Sequence, residues 1–458
     1  MNSIIFLSVF GIVILFLGFL KNKQTLLPIA LTFVFAALAI NFTDWNHPKN
    51  YFGGMLKVDD ASVAFTGIIL LTVLLILPLS QKYIRNKDSH LAEYYALMLF
   101  AAVGAIMMVS FGNMIMLFLG LEILSISMYI LAGSDQRNLK SNEAALKYFL
   151  MGAFATGILL FGIALIYGGT GSFDTHIIGN IISSTTGNKA IIAVGTLLIL
   201  IGMLFKVSAA PFHFWTPDVY EGTPTLFTIY MSTIVKTAGF AALLRLITLC
   251  FSGIQDTWVI ILACICVLTL LIGNVTATFQ QNTKRMMAYS SISHAGYMLI
   301  ALLALSGFSQ KAILFYSLAY SIASVGAFGV LMAVSDAKGS ENFEAFNGLG
   351  KSNPSLAFVM TICSLSLAGI PLTAGFFGKF FVFVSAFQQN LVWVLIPAIL
   401  MTAVGVYYYF KVIIAMYMKS GDNIEIDLSP AYQLVLVITS VATLVLGIMP
   451  QIFSEILK

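Results

Sequence analysis

Apolar and polar positions in this chain fall into long blocks. Run after run is apolar on every face, and short polar connections separate the runs. A helix needs about 20 apolar residues to cross a bilayer. Fourteen segments of this kind are predicted, at 3–20, 26–42, 61–80, 91–109, 112–132, 143–168, 190–216, 225–250, 258–280, 286–307, 310–335, 355–389, 391–418 and 430–454. Segment 7 is interrupted at Ser208-Ala209-Ala210-Pro211 and segment 12 at Gly369-Ile370-Pro371. Proline removes a backbone donor and clashes with the preceding turn, so both segments are expected to be broken helices. Broken helices persist at membrane depth only where they border protein or a water-filled cavity.

The predicted fold is therefore an all-α integral membrane protein. The two breaks lie five segments apart, which implies two five-helix repeats of opposite membrane orientation. On that division residues 1–90 hold helices 1–3, 91–250 the first repeat (helices 4–8), 258–418 the second, inverted repeat (helices 9–13), and 430–458 the C-terminal helix. The N-terminal run lacks a basic leader and a small-residue cleavage site, and Lys21 and Lys23 follow it. It reads as a retained first helix.

Composition agrees. Of 458 residues, 59% are hydrophobic and 9% charged, with mean hydropathy +0.97; a soluble domain carries about 25% charged residues. The net charge of +4 is not gathered into a basic arm, so nucleic-acid binding has no support. Cys250, Cys264, Cys266 and Cys363 all lie in apolar runs and read as small core residues. Lys and Arg in the connections set orientation. The odd-numbered connections carry Lys21, Lys23, Lys82, Arg85, Lys87, Arg137, Lys140, Lys284, Arg285, Lys338, Lys351 and Lys419. The even ones and the termini carry only Lys49, Lys57, Lys189, Lys311 and Lys458. The odd connections are expected on the cytoplasmic side and both termini outside.

Against this background the charges inside the apolar runs stand out. Lys147, Lys206, Lys236 and Lys379 are such cations, and Glu122 is the acid at the middle of a span. A lysine or glutamate at the bilayer centre costs about 2.5–3.5 kcal/mol on insertion scales, and such residues mark ion or proton pathways by default. Glu122 has the small neighbours Gly120, Ser125 and Ser127; its plain alternative is a protonated carboxyl bonded to a neighbouring helix. Lys206 precedes the break of segment 7, whose freed carbonyls suit an ammonium. His213 lies two turns further on the same face if the helix runs straight, and its reference pKa suits a relay. Lys236 is mid-span among Ser232, Thr233 and Thr237, and Lys379 follows the second break. Lys147 is close to a helix end with Glu143 one turn before it, so it can snorkel instead. His294, in SSISHAGYM, is a further polar candidate; Lys411 and Arg245 serve equally as anchors. The run GGTGSFD lacks a P-loop lysine and reads as an outward turn. No hydrolase constellation surrounds SSISHAG.

The residues carrying these charges, read in order, resemble a known family. FLGLEILSISMYILAG, EAALKYFLMGAFATGILLFGIALIYGGTGS, LFKVSAAPFHFWTPDVYEGTPT, NTKRMMAYSSISHAGYML and LAGIPLTAGFFGKF are similar to the antiporter-like membrane subunits of bacterial respiratory complex I, NADH:quinone oxidoreductase. Among these they come nearest to the subunit N group. The similarity runs from about residue 112 to 380 and is weaker over the first three helices and at YYYFK. It implies a fourteen-helix core with inverted repeats and a central charge pair of Glu122 and Lys206. Lys236 would stand between the half-channels, with Lys379 as the terminal lysine of the second repeat and Lys147 and His213 at further polar positions. Lys411 stands where the family often has arginine.

The resemblance further implies outward proton translocation across a bacterial cytoplasmic (inner) membrane, coupled to quinone reduction elsewhere. The partners would be other complex I membrane subunits and the lipid bilayer. No cofactor is expected on this chain; NAD, FMN, iron–sulfur clusters and quinone belong to other subunits. Three rivals remain: a cation/proton antiporter subunit, the membrane subunit of a proton-pumping hydrogenase, and a scaffold whose buried charges only join helices.

Overall fold

The structure is a computed structural model that describes residues 1–20, 23–85, 90–184, 188–422 and 424–451. The chain begins with α1 (Asn2–Leu17), α2 (Leu26–Phe42), a two-stranded antiparallel hairpin of β1 (Lys49–Tyr51) and β2 (Leu56–Val58), and α3 (Asp60–Arg85). Next come α4 (Leu91–Ser110), α5 (Met114–Ala132), α6 (Leu139–Thr170), α7 (Thr175–Ser184), α8 (Lys189–Lys206), α9 (Trp215–Gly222), α10 (Thr225–Tyr230) and α11 (Lys236–Leu249). The rest is α12 (Gln255–Thr278), α13 (Thr283–Ala304), α14 (Ser309–Lys338), α15 (Leu349–Ser352), α16 (Pro354–Ala368), α17 (Ala374–Gln388), α18 (Val392–Met418) and α19 (Pro430–Ile448).

Among the described residues, twelve helical stretches are long and apolar enough to cross a membrane, and α1, α16 and α17 are shorter apolar helices. The structure is thus all-helical and membrane-spanning apart from the small hairpin. Both predicted breaks are present. Segment 7 divides into α8 and α9, and segment 12 into α16 and α17. Hydropathy gave no sign of the hairpin between α2 and α3 or of the amphipathic α7. GGTGSFD is partly helical: α6 runs to Thr170, and Gly171, at φ 70°, ends it. The expected end of segment 14, at 452–454, lies outside the described residues, as do Lys21, Lys87 and Lys458.

Burial divides the helices into a centre and a rim. The stretches Thr225–Leu249, Thr283–Ala304 and Ser309–Lys338 are almost wholly buried, whereas in α6, α12, α18 and α19 fewer than half of the residues are buried. The rim presents Phe154, Ile260, Tyr407 and Leu434 outward, as hydrocarbon contact requires. The polar connections gather at two ends. At one end Lys140, Glu221, Lys284 and Glu341 bond one another, which joins odd-numbered connections. At the other Arg245 bonds Asp59 and the Phe111 carbonyl, Lys57 faces Asp174, and the Met1 amine faces Asp44, so the N-terminus lies with the even-numbered connections. Lys284 departs from the sequence expectation of a loop cation, because it is buried within the first turn of α13.

Close packing of α4 on α5 depends on glycine. A Cβ on Gly104 would lie 2.5 Å from the Leu124 nitrogen and 2.6 Å from the Gly120 carbonyl oxygen, and backbone cannot move aside. Gly157 on α6 faces open space. Gly104→Ala should destabilise the protein by about 1–3 kcal/mol through overpacking, whereas Gly157→Ala should not. Thermal unfolding in detergent checks this, and equal midpoints for the two variants would refute the packing.

Candidate functional site

Lys206 is the last residue of α8 and is buried. Residues 207–214 leave the helical path before Pro211, and Ser208 takes φ 64°. The amides freed by the break need partners inside the protein. Ala209 N donates to the Leu204 carbonyl, and Ala210 N to Thr269 Oγ1 of α12 at 2.9 Å. The Lys206 ammonium donates to Ser125 Oγ at 2.8 Å and lies 5.7 Å from the centre of the Tyr148 ring. Glu122, one turn before Ser125 on α5, is half-buried and near enough to act on Lys206 electrostatically. The direct contact between α5 and Lys206 is thus made by Ser125, one turn from Glu122.

Lys236 opens α11 immediately after a π-helical turn, Met231–Val235. Such turns interrupt the regular ladder and recur at functional sites. Its ammonium donates to Ser291 Oγ at 2.6 Å and to the Ser291 carbonyl, and lies 5.8 Å from the Tyr320 ring centre. From there polar rings continue. The His294 ring is 4.8 Å from that of Tyr320, its Nδ1 is 2.7 Å from the Tyr316 hydroxyl, and its Nε2 is 3.3 Å from the Tyr409 hydroxyl. Tyr297 is 6.1 Å from His294 between ring centres, and Lys379 Nζ is 4.6 Å from the Tyr297 ring centre. Lys379 also donates to the Ala368 carbonyl, the last of α16, at 2.8 Å. Gly369, at φ 86°, makes room for this contact, since a Cβ there would lie 2.8 Å from Lys379 Cδ. The file Glu122–Lys206 and Lys236–His294–Lys379 therefore runs through the buried interior. α11 passes the Lys206 end closely, because a Cβ on Gly239 would meet Val207 at 2.7 Å.

Two predicted residues fall elsewhere. His213 is buried, but the break turns the chain so that it no longer shares a straight helical face with Lys206, and its Nδ1 has no protein partner. Lys147 follows the snorkelling alternative: it stands near one polar end with its side chain 38% exposed, 2.7 Å from both Glu143 and Asp218. Three carboxylate-linked cations gather there because the helix end reaches the polar layer. Lys411 donates to the Thr278 carbonyl, and Arg245 anchors the opposite end.

Sequence reasoning missed this polar end as a unit. Asp218 accepts from Lys147 and Arg285, and Glu221 from Lys140 and Arg285, at 2.7–2.8 Å. Together with Glu143 they line a cleft of about 120 Å³. Burial alone would raise both carboxyls; the hydrogen bonds from these cations overturn that and hold Asp218 and Glu221 below the ordinary carboxylate range. The hydroxyl partners Ser125 and Ser291 were also missed as ligands of the amines. Their signal was present: each sits on the helix turn beside a candidate charge.

Comparison with known proteins places these residues in context. Residues 112–405 match the family described as NADH:quinone oxidoreductase/Mrp antiporter, transmembrane. The NADH-quinone oxidoreductase subunit N of Flavobacterium psychrophilum is 41% identical over 457 residues, covering 100% of both chains. That of Cytophaga hutchinsonii is 42% identical over 460 residues, covering 100% of this chain and 99% of its own. A chain of respiratory complex I from Thermus thermophilus, solved with bound aureothin, superposes with a TM-score of 0.85 at 34% identity, covering 98% of this chain and 97% of its own.

The ion-paired carboxyls make a pH-dependent contribution with a fixed sign. A carboxyl whose folded-state pKa is depressed stabilises the fold above its unfolded value of about 4, and that stability is lost as pH falls through the lower folded value. The double variant Asp218→Asn, Glu221→Gln should therefore unfold at lower temperature than wild type at pH 7, with the gap closing below about pH 4. A gap that stays constant down to about pH 3 in melting curves would contradict the depressed values.

Proposed function

This chain belongs to the NADH:quinone oxidoreductase/Mrp antiporter transmembrane family, and on that premise we propose that it is a proton-translocating membrane-arm subunit of an NADH-quinone oxidoreductase. The observation that carries the reading is the buried file of amines, each held by hydroxyl or carbonyl oxygen and none anchored by a permanent ion pair among the described residues. Glu122 tunes Lys206; Lys206 and Lys236 exchange protons through water and the hydroxyls beside them; His294 and its tyrosines lead on to Lys379. Lys379 delivers protons onward or couples to a neighbouring subunit. Moving one proton against 100 mV takes about 2.3 kcal/mol, and one pKa unit is worth about 1.4 kcal/mol. Changes of two units in a lysine's partners or hydration are therefore of sufficient size. The energy comes from quinone reduction in other subunits, where the NAD, FMN, iron–sulfur and quinone sites belong. The partners are the other membrane subunits of the assembly.

Inverted repeats over 91–250 and 258–418, flanked by helices 1–3 and the C-terminal helix, are part of the same reading. Asn113 caps α5 and Asn282 caps α13, 169 residues later, and each lies in an isolated antiparallel bridge, to Asp174 and to Asn342. Gly104 and Gly273, also 169 residues apart, approach the backbone of Leu124 and Ser293. Gly171 and Gly339 end α6 and α14 in the same left-handed conformation. Asn113 lies at the end with the N-terminus and Asn282 at the opposite end, which supports inversion. On this register Ser291 stands where Glu122 does in the first repeat, and His294 where Ser125 does. The odd-numbered connections face the cytoplasm of the bacterial inner membrane, with the termini outside.

Lys206→Ala and Glu122→Ala should each lower proton translocation coupled to quinone reduction by about tenfold or more, measured per assembled complex in inverted membrane vesicles. Wild-type rates in both would end the assignment. Sodium-dependent proton exchange without NADH oxidation would transfer the chain to the antiporter branch.

A further inference from the structure

α9 is eight residues long, too short to hold itself as a helix. What fixes it is divided between two faces. Its inner face carries Trp215 and Tyr220, both buried. Trp215 Nε1 donates to the Phe205 carbonyl at 3.1 Å, on the residue just before Lys206, and its ring stacks 4.7 Å from Tyr148, the aromatic beside the Lys206 ammonium. Tyr220 is buried where α9 packs against α13, the helix whose Ser291 holds Lys236. α9 thus abuts the surroundings of both amines at once.

Its outer face is held by charge. Arg285 Nη1 donates to Asp218 Oδ1 and to Glu221 Oε2, both at 2.8 Å, so one guanidinium grips both carboxylates of the helix. Lys147 and Lys140 of α6 take the remaining oxygens at 2.7 and 2.8 Å. Lys284, the neighbour of Arg285, is buried and donates to the Glu221 and Thr223 carbonyls at 3.1 and 2.7 Å, capping the negative end of α9; Glu341 is its counter-ion at 3.1 Å. Arg285 and Lys284 stand on α13, the helix that also presents Ser291 and His294 to the amine file. The clamp on α9 and the partner of Lys236 are therefore parts of one rigid element.

We infer that Arg285 is a positioning residue for proton transfer between Lys206 and Lys236: it locks α9 to α13 so that Trp215 and Tyr220 set the separation and hydration of the two amines. The inference rests on the amine file being the proton route. Arg285 touches neither amine, so its effect passes through α9. Charge-assisted bonds to two half-buried carboxylates are strong enough to govern a helix of two turns. Loss of the guanidinium leaves each carboxylate with its α6 partner and only the Lys284 cap as a charged tie from α13 to α9, which loosens the register of the two helices.

The experiment uses the assembled complex in inverted membrane vesicles, with proton translocation and quinone reduction expressed per complex. Arg285→Gln should lower both by about tenfold. Arg285→Lys, which keeps a cation at this position of α13, should restore both to within about threefold of wild type. Lys206→Ala is measured alongside. If Arg285→Gln runs at the wild-type rate per complex while Lys206→Ala is blocked, the positioning role is wrong and the proton route stands. The positioning role fails equally if Arg285→Gln only reduces the amount of complex, or if Arg285→Lys is as impaired as Arg285→Gln. If Lys206→Ala itself is unimpaired, the underlying route fails and the inference falls with it.

Discussion

Hydrocarbon offers no hydrogen-bond partner, so every ammonium held at membrane depth must find oxygen inside the protein. The architecture follows that constraint. A broken helix leaves carbonyls without an intrahelical donor, and an unbroken one can still lend a side-chain hydroxyl or the second lone pair of a carbonyl. Lys379 takes the last carbonyl of α16 across the Gly369 break, Lys206 ends α8 where the chain leaves the helical path, and Lys236 follows a π turn. Serine supplies the rest, through Ser125 and Ser291. Three amines are thus kept in the interior with no ion pair among the described residues, one by a carbonyl freed at a break and two by oxygens lent from neighbouring helices.

The same constraint sorts the helices. Three helices at the centre, α11, α13 and α14, are enclosed on nearly all sides, and they carry Lys236, His294 and the tyrosines Tyr316 and Tyr320. Permanent ion pairs are relegated to the two polar ends, where solvent lowers the cost of each charge. Arg245 with Asp59 closes one end; the cluster around Asp218 and Glu221 closes the other. Among the described residues, amines without an ion pair occupy the middle and ion-paired charges the ends, and on the proposed route the ends hold geometry while the middle changes protonation.

α9 links these two regimes. Its carboxylates belong to the fixed cluster, and its aromatic face belongs to the file through Trp215 and Tyr220. Any movement of the half-helix beyond the Pro211 break must alter both. α9 is therefore a part in which surface charge and interior packing are joined, which gives a physical reason for the break to sit beside Lys206 rather than elsewhere in the span.

Block hydropathy determined the membrane class and proline within two apolar runs marked the two breaks, because spanning helices and their interruption are consequences of composition and backbone chemistry within a single segment. It also determined that Glu122, Lys206, Lys236 and Lys379 require special surroundings, since a charge within an apolar run is visible without coordinates. Tertiary structure decided their partners. Lys147 looked like the others in its run but reaches a polar end, Lys284 looked like a loop cation but is buried against α9, and His213 lost its face to the break. Ser291 becomes a ligand of Lys236 from 55 residues away. Hydropathy is a property of neighbours along the chain, whereas solvation and hydrogen bonding are set by neighbours in space, and only the packing of one helix against another fixes those.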